Sequence, residues 1–166
     1  LLESNDYAKS NLIKEAARRG VDSERLIFVP IVSYKKYLER FSRADLYLDT
    51  FDYNAGATAS AALRSGLPIV TKSGKSYAAR MSGSLLEALK LSDLITQSEE
   101  QYENLALDLA VNPSKLKNIK TRLQKSIKEE PLFQTRRFTN NLEKGYDEVM
   151  GVYIENKNIK TIEIAD

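Results

Sequence analysis

The apolar positions of this chain fall into short runs of two kinds, and the two kinds alternate. Between residues 5 and 19, Ala8, Leu12 and Ala16 recur at spacing four with Ile13 and Ala17 beside them, which predicts a helix stopped by Gly20. Leu26-Ile27-Phe28-Val29 is a continuous β-rich run closed by Pro30, the pattern of a buried strand. Tyr34, Tyr37, Leu38 and Phe41 then give a short helical stripe, and Leu46-Tyr47-Leu48 a second strand that ends at Asp49-Thr50. A helix over 59–65, ended by Gly66, leads to a third strand over 67–71, and a helix carrying Ala79, Leu85, Leu86 and Leu89 follows. Past Leu94-Ile95 the period is helical throughout. One helix covers 99–110, a second is marked by Leu116, Ile119, Leu123 and Ile127, and a third, after Pro131, by Phe138, Leu142, Tyr146, Val149 and Tyr153.

Short strands alternating with longer helices predict βαβ units and a parallel sheet. The expected fold class is α/β, a Rossmann-like parallel sheet flanked by helices, with further helices at the C-terminus. A lobe over 1–154 and a polar, fraying tail over 155–166 complete the expected organisation. The 166 residues are 42% hydrophobic and 29% charged, with 7 Gly and 4 Pro, so a single packed core is expected and low-complexity classes are excluded. Cys and His are both absent. That removes disulfides, thiolate or imidazole metal sites, Cys nucleophiles and the His-dependent triads.

The net charge of +2 gives no case for nucleic acid as a partner. No apolar run approaches the roughly 18 residues of a membrane helix, and no signal-peptide pattern opens the chain. The absence of an initiator Met before Leu1-Leu2 makes a piece of a longer, cytoplasmic protein the expectation.

Candidate chemistry lies in the loops that follow strands, because open parallel sheets bind ligands beyond the carboxyl ends of their strands. Asn54-Ala55-Gly56-Ala57-Thr58 is a small-residue loop opening a helix. Its backbone can approach a ligand closely, and the helix offers free N–H groups and a positive dipole end to a phosphate without any metal. A plainly capped helix on a tight turn is the alternative. Gly74-Lys75-Ser76 matches the end of a phosphate-binding P-loop, but Ile69 stands where its first Gly belongs, so a surface loop with two lysines is the better reading. After Pro30, Val32 leads to a helix where Tyr37 and Arg40 stand one turn apart, either packing or stacking on a base. Arg80, early in its helix, is open to both readings. Asp49 and Asp52 are the nearby carboxylates, and nothing in their spacing makes them a catalytic dyad.

Taken in order, Arg25 to Pro30, Ala44 to Thr50, Tyr53-Asn54-Ala-Gly-Ala-Thr58-Ala-Ser, Leu63 to Thr71, Ala78 to Leu85 and Pro131-Leu132-Phe133 resemble the C-terminal catalytic half of the O-GlcNAc transferase / SPINDLY-like family of GT-B glycosyltransferases. The resemblance covers roughly residues 1–150, in the family's order and spacing. It implies one lobe of a GT-B fold, with a UDP-sugar, UDP-GlcNAc by family default, as donor substrate and a protein Ser/Thr hydroxyl as acceptor. Val32, Tyr37 and Arg40 would hold the base; Asn54, Gly56, Ala57, Thr58 and Arg80 would serve the rest of the donor. No cofactor and no metal are expected. The catalytic residues would lie on an N-terminal lobe, behind TPR repeats, outside this chain.

Three positions depart from the family pattern: Tyr37, which can still stack, stands where animal enzymes carry the base-stacking His, and two more lie in and after the phosphate loop. The His that often precedes the phosphate-loop Thr is replaced by Gly56 or Ala57, and the Asp three residues after that Thr is Ala61. These departures leave a second reading, a degenerate nucleotide-binding or scaffold module that does not turn over. A lobe of another GT-B enzyme, acting on a lipid or small glycan, is the third.

Overall fold

The structure, a computed structural model, describes residues 1–3, 5–155, 158 and 161–164. Much of the tail expected over 155–166 lies outside those residues. The chain divides into two compact units, Leu1–Arg43 and Ala44–Asp166.

The first unit holds α1 (Asp6–Arg18) and α2 (Tyr34–Phe41). α1 starts where the Asn5 side chain accepts the Ala8 N–H at 2.7 Å, with Asp6 and Arg18 placed to favour its dipole, and it stops before Gly20 at φ 74°. The strand expected over 26–29 does not form. A single turn, Ser23–Arg25, precedes an isolated parallel bridge between Leu2 and Val29. Val29 donates to Leu1 O and Glu3 donates to Val29 O, both at 2.9 Å. The partner then runs out, because Asn5 turns the chain into α1 just past Glu3. A strand needs a partner as long as itself.

The second unit carries a three-stranded parallel sheet in the order β1 (Tyr47–Leu48), β2 (Ile69–Lys72), β3 (Ile95–Thr96). Tyr47 pairs with Ile69 and Thr71 with Ile95. β3 was not expected, since two residues are too short to show alternation. α3 (Ala57–Arg64) joins β1 to β2, and a turn at Ala78–Arg80 with α4 (Met81–Ala88) joins β2 to β3. α5 (Glu99–Val111), α6 (Pro113–Glu129) and α7 (Thr135–Ile154) follow. Ser98 caps α5 by accepting the Gln101 N–H at 3.1 Å, and Pro113 opens α6.

The core is fully buried Leu63, Ile69, Val70, Leu86, Leu89, Leu91, Leu94, Leu109 and Leu123. Ala59 and Ala62 are buried completely as well, and these small side chains bring α3 close to its neighbours α4, β2 and α6. Arg122 of α6 grips Asp93 with two hydrogen bonds of 2.7 and 2.8 Å, and that guanidinium, by hydrogen bonding above all, holds the Asp93 carboxyl below the usual range. Among the described residues no helix is long and apolar enough to cross a membrane.

Truncating Leu86 to Ala should cost about 2–5 kcal/mol in urea denaturation followed by circular dichroism. Leu107→Ala, at a site 55% exposed, should cost about 0.5 kcal/mol or less. Equal losses would contradict this placement of the core.

Candidate functional site at the carboxyl ends of the strands

Beyond the ends of β1 and β2, two loops meet. The first, 49–56, leaves β1 at Asp49, which is 4% exposed although it carries a carboxylate. Asp49 Oδ1 accepts the Ala55 N–H at 2.8 Å and Oδ2 accepts the Thr71 hydroxyl at 2.7 Å. The Tyr102 hydroxyl of α5 donates to Asp49 O at 3.0 Å. Asn54, 2% exposed, donates through Nδ2 to Thr50 O at 2.6 Å, while its backbone N–H donates to Ala78 O at 2.9 Å. Its Oδ1 is buried without a hydrogen-bond partner among the described residues.

The second loop, 73–77, is held to the turn that follows it. Gly74 N donates to Ala79 O at 2.8 Å, and a Cβ at Gly74 would stand 2.5 Å from the Ala79 Cβ, so only glycine fits. Ser76 Oγ accepts the Ala79 N–H at 3.2 Å, so Gly74-Lys75-Ser76 shapes a cap. Lys72, one of the two lysines here, reaches Glu99 at 3.1 Å and lies 4.3 Å from the Phe51 ring centroid.

α3 begins at this junction with Gly56 at its N-cap and no side chain closing its first turn. Its leading N–H groups therefore keep the donor capacity that other helix starts give to Asn5 or Ser98. Gly56 has φ −101°, outside the left-handed region, and a Cβ there would meet only Met81 Cγ at 3.6 Å. Neither backbone strain nor packing imposes glycine at this position. Ala57 is exposed and Thr58 half-buried, and the Thr58 hydroxyl has no partner among the described residues. Arg80 is exposed at the end of the Ala78–Arg80 turn, its guanidinium without a partner among the described residues.

The second unit therefore brings Asn54, Gly56, Ala57 and Thr58 together, with Arg80 on the turn that Asn54 is bonded to. Asp49 stands apart from Asp52, which is exposed, so the two carboxylates form no dyad. Among the described residues no group of three carboxylates gathers to hold a metal ion.

In the first unit, Val32 and Arg40 line a hollow of about 250 Å³ with Lys36, Glu39 and Arg43. Arg40 donates to Pro30 O at 2.7 Å. Tyr37 does not line that hollow. Its ring stacks on Tyr34 at 6.1 Å and meets Phe41 edge-on at 5.0 Å.

The family model described as glycosyl transferase family 41 matches residues 1–142. The chain belongs to this family. As a family 41 chain it is 30% identical over 142 residues to the Petunia hybrida protein named as a probable UDP-N-acetylglucosamine–peptide N-acetylglucosaminyltransferase SPINDLY. That alignment spans 85% of this chain and 15% of the relative. With the Arabidopsis thaliana protein of the same enzyme description, SEC, it shares 36% over 132 residues, 79% of this chain and 14% of the relative. A solved structure of an O-GlcNAc transferase mutant from Thermobaculum terrenum superposes with a TM-score of 0.78 at 29% identity, covering 86% of this chain and 27% of that one. The family 41 chain is thus a Rossmann-like lobe of a GT-B glycosyltransferase fold, and its match spans about one seventh of the length of these curated relatives.

The role of Asp49 was not visible in the sequence, although an Asp closing a strand before a small-residue loop is a usable signal. Burial first, then the Asp49 charge and Tyr47, push the Tyr102 phenol up to about 12 from 10.0. A folded value above the unfolded one means that this stabilisation is whole below pH 10 and is lost as pH rises through about 12. Urea midpoints should fall across that window, and Tyr102→Phe should flatten the fall. Gly74→Ala should cost about 1–3 kcal/mol by overpacking against Ala79, and adding Ala79→Gly should recover part of the lost melting temperature.

Proposed function

We propose that this chain is the donor-binding lobe of a protein O-glycosyltransferase that moves GlcNAc from UDP-GlcNAc to a Ser or Thr hydroxyl. The observation that carries the reading is the open, uncapped start of α3 at the carboxyl ends of two parallel strands, in a chain of family 41. The enzyme descriptions of the SPINDLY and SEC relatives point to the same donor and to a peptide acceptor.

In this reading the diphosphate sits on the first N–H groups of α3, with the Thr58 hydroxyl donating beside them and Arg80 free to pair with a phosphate oxygen. The acceptor oxygen attacks the anomeric carbon from the face opposite UDP, and the bond from that carbon to the β-phosphate oxygen breaks with inversion. The bonding pair leaves on UDP, where helix N–H groups and the hydroxyl stabilise the growing charge without a metal. The acceptor proton goes to a base elsewhere in the longer protein. The preceding lobe, the acceptor-side groups and TPR repeats belong to that remainder. For the nucleotide base the family resemblance names Val32, Tyr37 and Arg40.

Ala61 favours the second reading, a nucleotide-binding module without turnover. It is a buried methyl, 9% exposed, in α3 where the family pattern carries a carboxylate.

Calorimetric titration of the chain with UDP, and with GDP as control, tests the proposal. The expected outcome is saturable UDP binding between high-micromolar and millimolar Kd, about 4 to 6 kcal/mol, weakened roughly tenfold in Thr58→Val. Binding of GDP in place of UDP would change the sugar class. UDP binding without any glycosyl transfer by the full-length protein would favour the second reading. No binding to the chain or to the full-length protein would overturn the donor site altogether.

A further inference from the structure

We propose that Asp49 is a positioning residue, one that sets the height and direction of the α3 amides toward the diphosphate. The inference rests on the donor-site reading above. A carboxylate beneath an anion site opposes the anion by its charge, so its presence at 4% exposure needs a geometric reason. The hydrogen bonds supply one.

Asp49 is the first residue past β1, and the loop it opens returns to it, because Oδ1 takes the Ala55 N–H at 2.8 Å. From the other side the Ser82 hydroxyl donates to Ala55 O at 2.9 Å. Residue 55 therefore has both its backbone groups fixed, and only Gly56 separates it from α3. The orientation of the Ala57 and Thr58 amides follows from that fixed peptide.

The other oxygen anchors the loop to the sheet. Oδ2 takes the fully buried Thr71 hydroxyl at 2.7 Å, and Thr71 O in turn accepts the Thr96 hydroxyl at 3.0 Å. One continuous chain of hydrogen bonds thus runs from β3 through β2 to the end of β1, and on to the loop and α4. The Asp49, Thr71, Thr96 and Ser82 side chains in it are buried and the Ala55 peptide half-buried, so breaking the chain leaves costly unpaired groups and holds the loop in place.

The test is UDP titration and thermal melting on four new variants of the same chain, beside Thr58→Val. Asp49→Ala should weaken UDP binding about tenfold. Asp49→Asn should recover most of that loss, since its Oδ1 accepts from Ala55 and its Nδ2 donates to a reversed Thr71 hydroxyl. Thr71→Val, which leaves Oδ2 without a donor, should fall between them and stands in if Asp49→Ala does not fold. Ile119→Val, a buried change on α6, should lower the melting temperature without moving the Kd. A folded Asp49→Ala or Thr71→Val that binds UDP as the unsubstituted chain does, while Thr58→Val does not, overturns the positioning role alone. If neither the unsubstituted chain nor the full-length protein binds UDP, the donor reading falls and this inference with it; if only the full-length protein binds, the same variants are read in it.

Discussion

The buried carboxylate of Asp49 is the constraint on which the carboxyl edge of the sheet depends. An ionised group with almost no water around it is tolerable only when each oxygen has a donor, and here the donors come from different parts of the fold: a loop amide and a hydroxyl on the neighbouring strand. The same residue's carbonyl takes the Tyr102 hydroxyl of α5. Strand, loop and helix are therefore fixed to one another by a residue that contributes nothing to the apolar core. Such a network is worth more intact than its parts, because loss of any member leaves another buried group unsatisfied.

Beside that network α3 is packed closely by small side chains. Ala59, Ala61 and Ala62 are small and buried, so α3 lies close against its neighbours while its first turn faces the loop junction. Asn5 and Ser98 close the starts of α1 and α5 with their side chains, while α2, α4, α6 and α7 share with α3 an N-cap that makes no side-chain hydrogen bond. Gly56 closes nothing. What local stability α3 forgoes at its cap, typically about 1 kcal/mol, is offset by burial of Leu63 and the alanines.

Much of this was legible in the sequence because its signals are local. The small-residue loop from Asn54 to Thr58 and the helix after it are visible without any tertiary information, and the ordered passages from Arg25 to Leu85 pointed to the family that the comparisons establish. Less legible was the environment of each side chain. Tyr37 and Arg40 stand one turn apart as the spacing requires, and Tyr37 packs on Tyr34 and Phe41, its neighbours on the same helical stripe, whereas the bond of Arg40 to Pro30 O is a contact that no helical spacing encodes. The apolar stripe over 138–153 marks a helix in the sequence, and α7 forms there, while its burial was not legible: Phe138, Tyr146 and Tyr153 are 66%, 65% and 77% exposed.

By itself the sequence determined the helices, their stops at Gly20 and Gly66, the parallel α/β class and the position of the loop that opens α3. Helix bonds close within four residues, so the information that makes them lies next to them in the chain. Only the tertiary structure decided that residues 26–29 make one bridge in place of a strand, that Ile95-Thr96 complete the sheet, and that Asp49 reaches both Ala55 and Thr71. Each of those depends on a partner distant in sequence, and whether a partner of the right length and chemistry arrives is settled by how the whole chain packs.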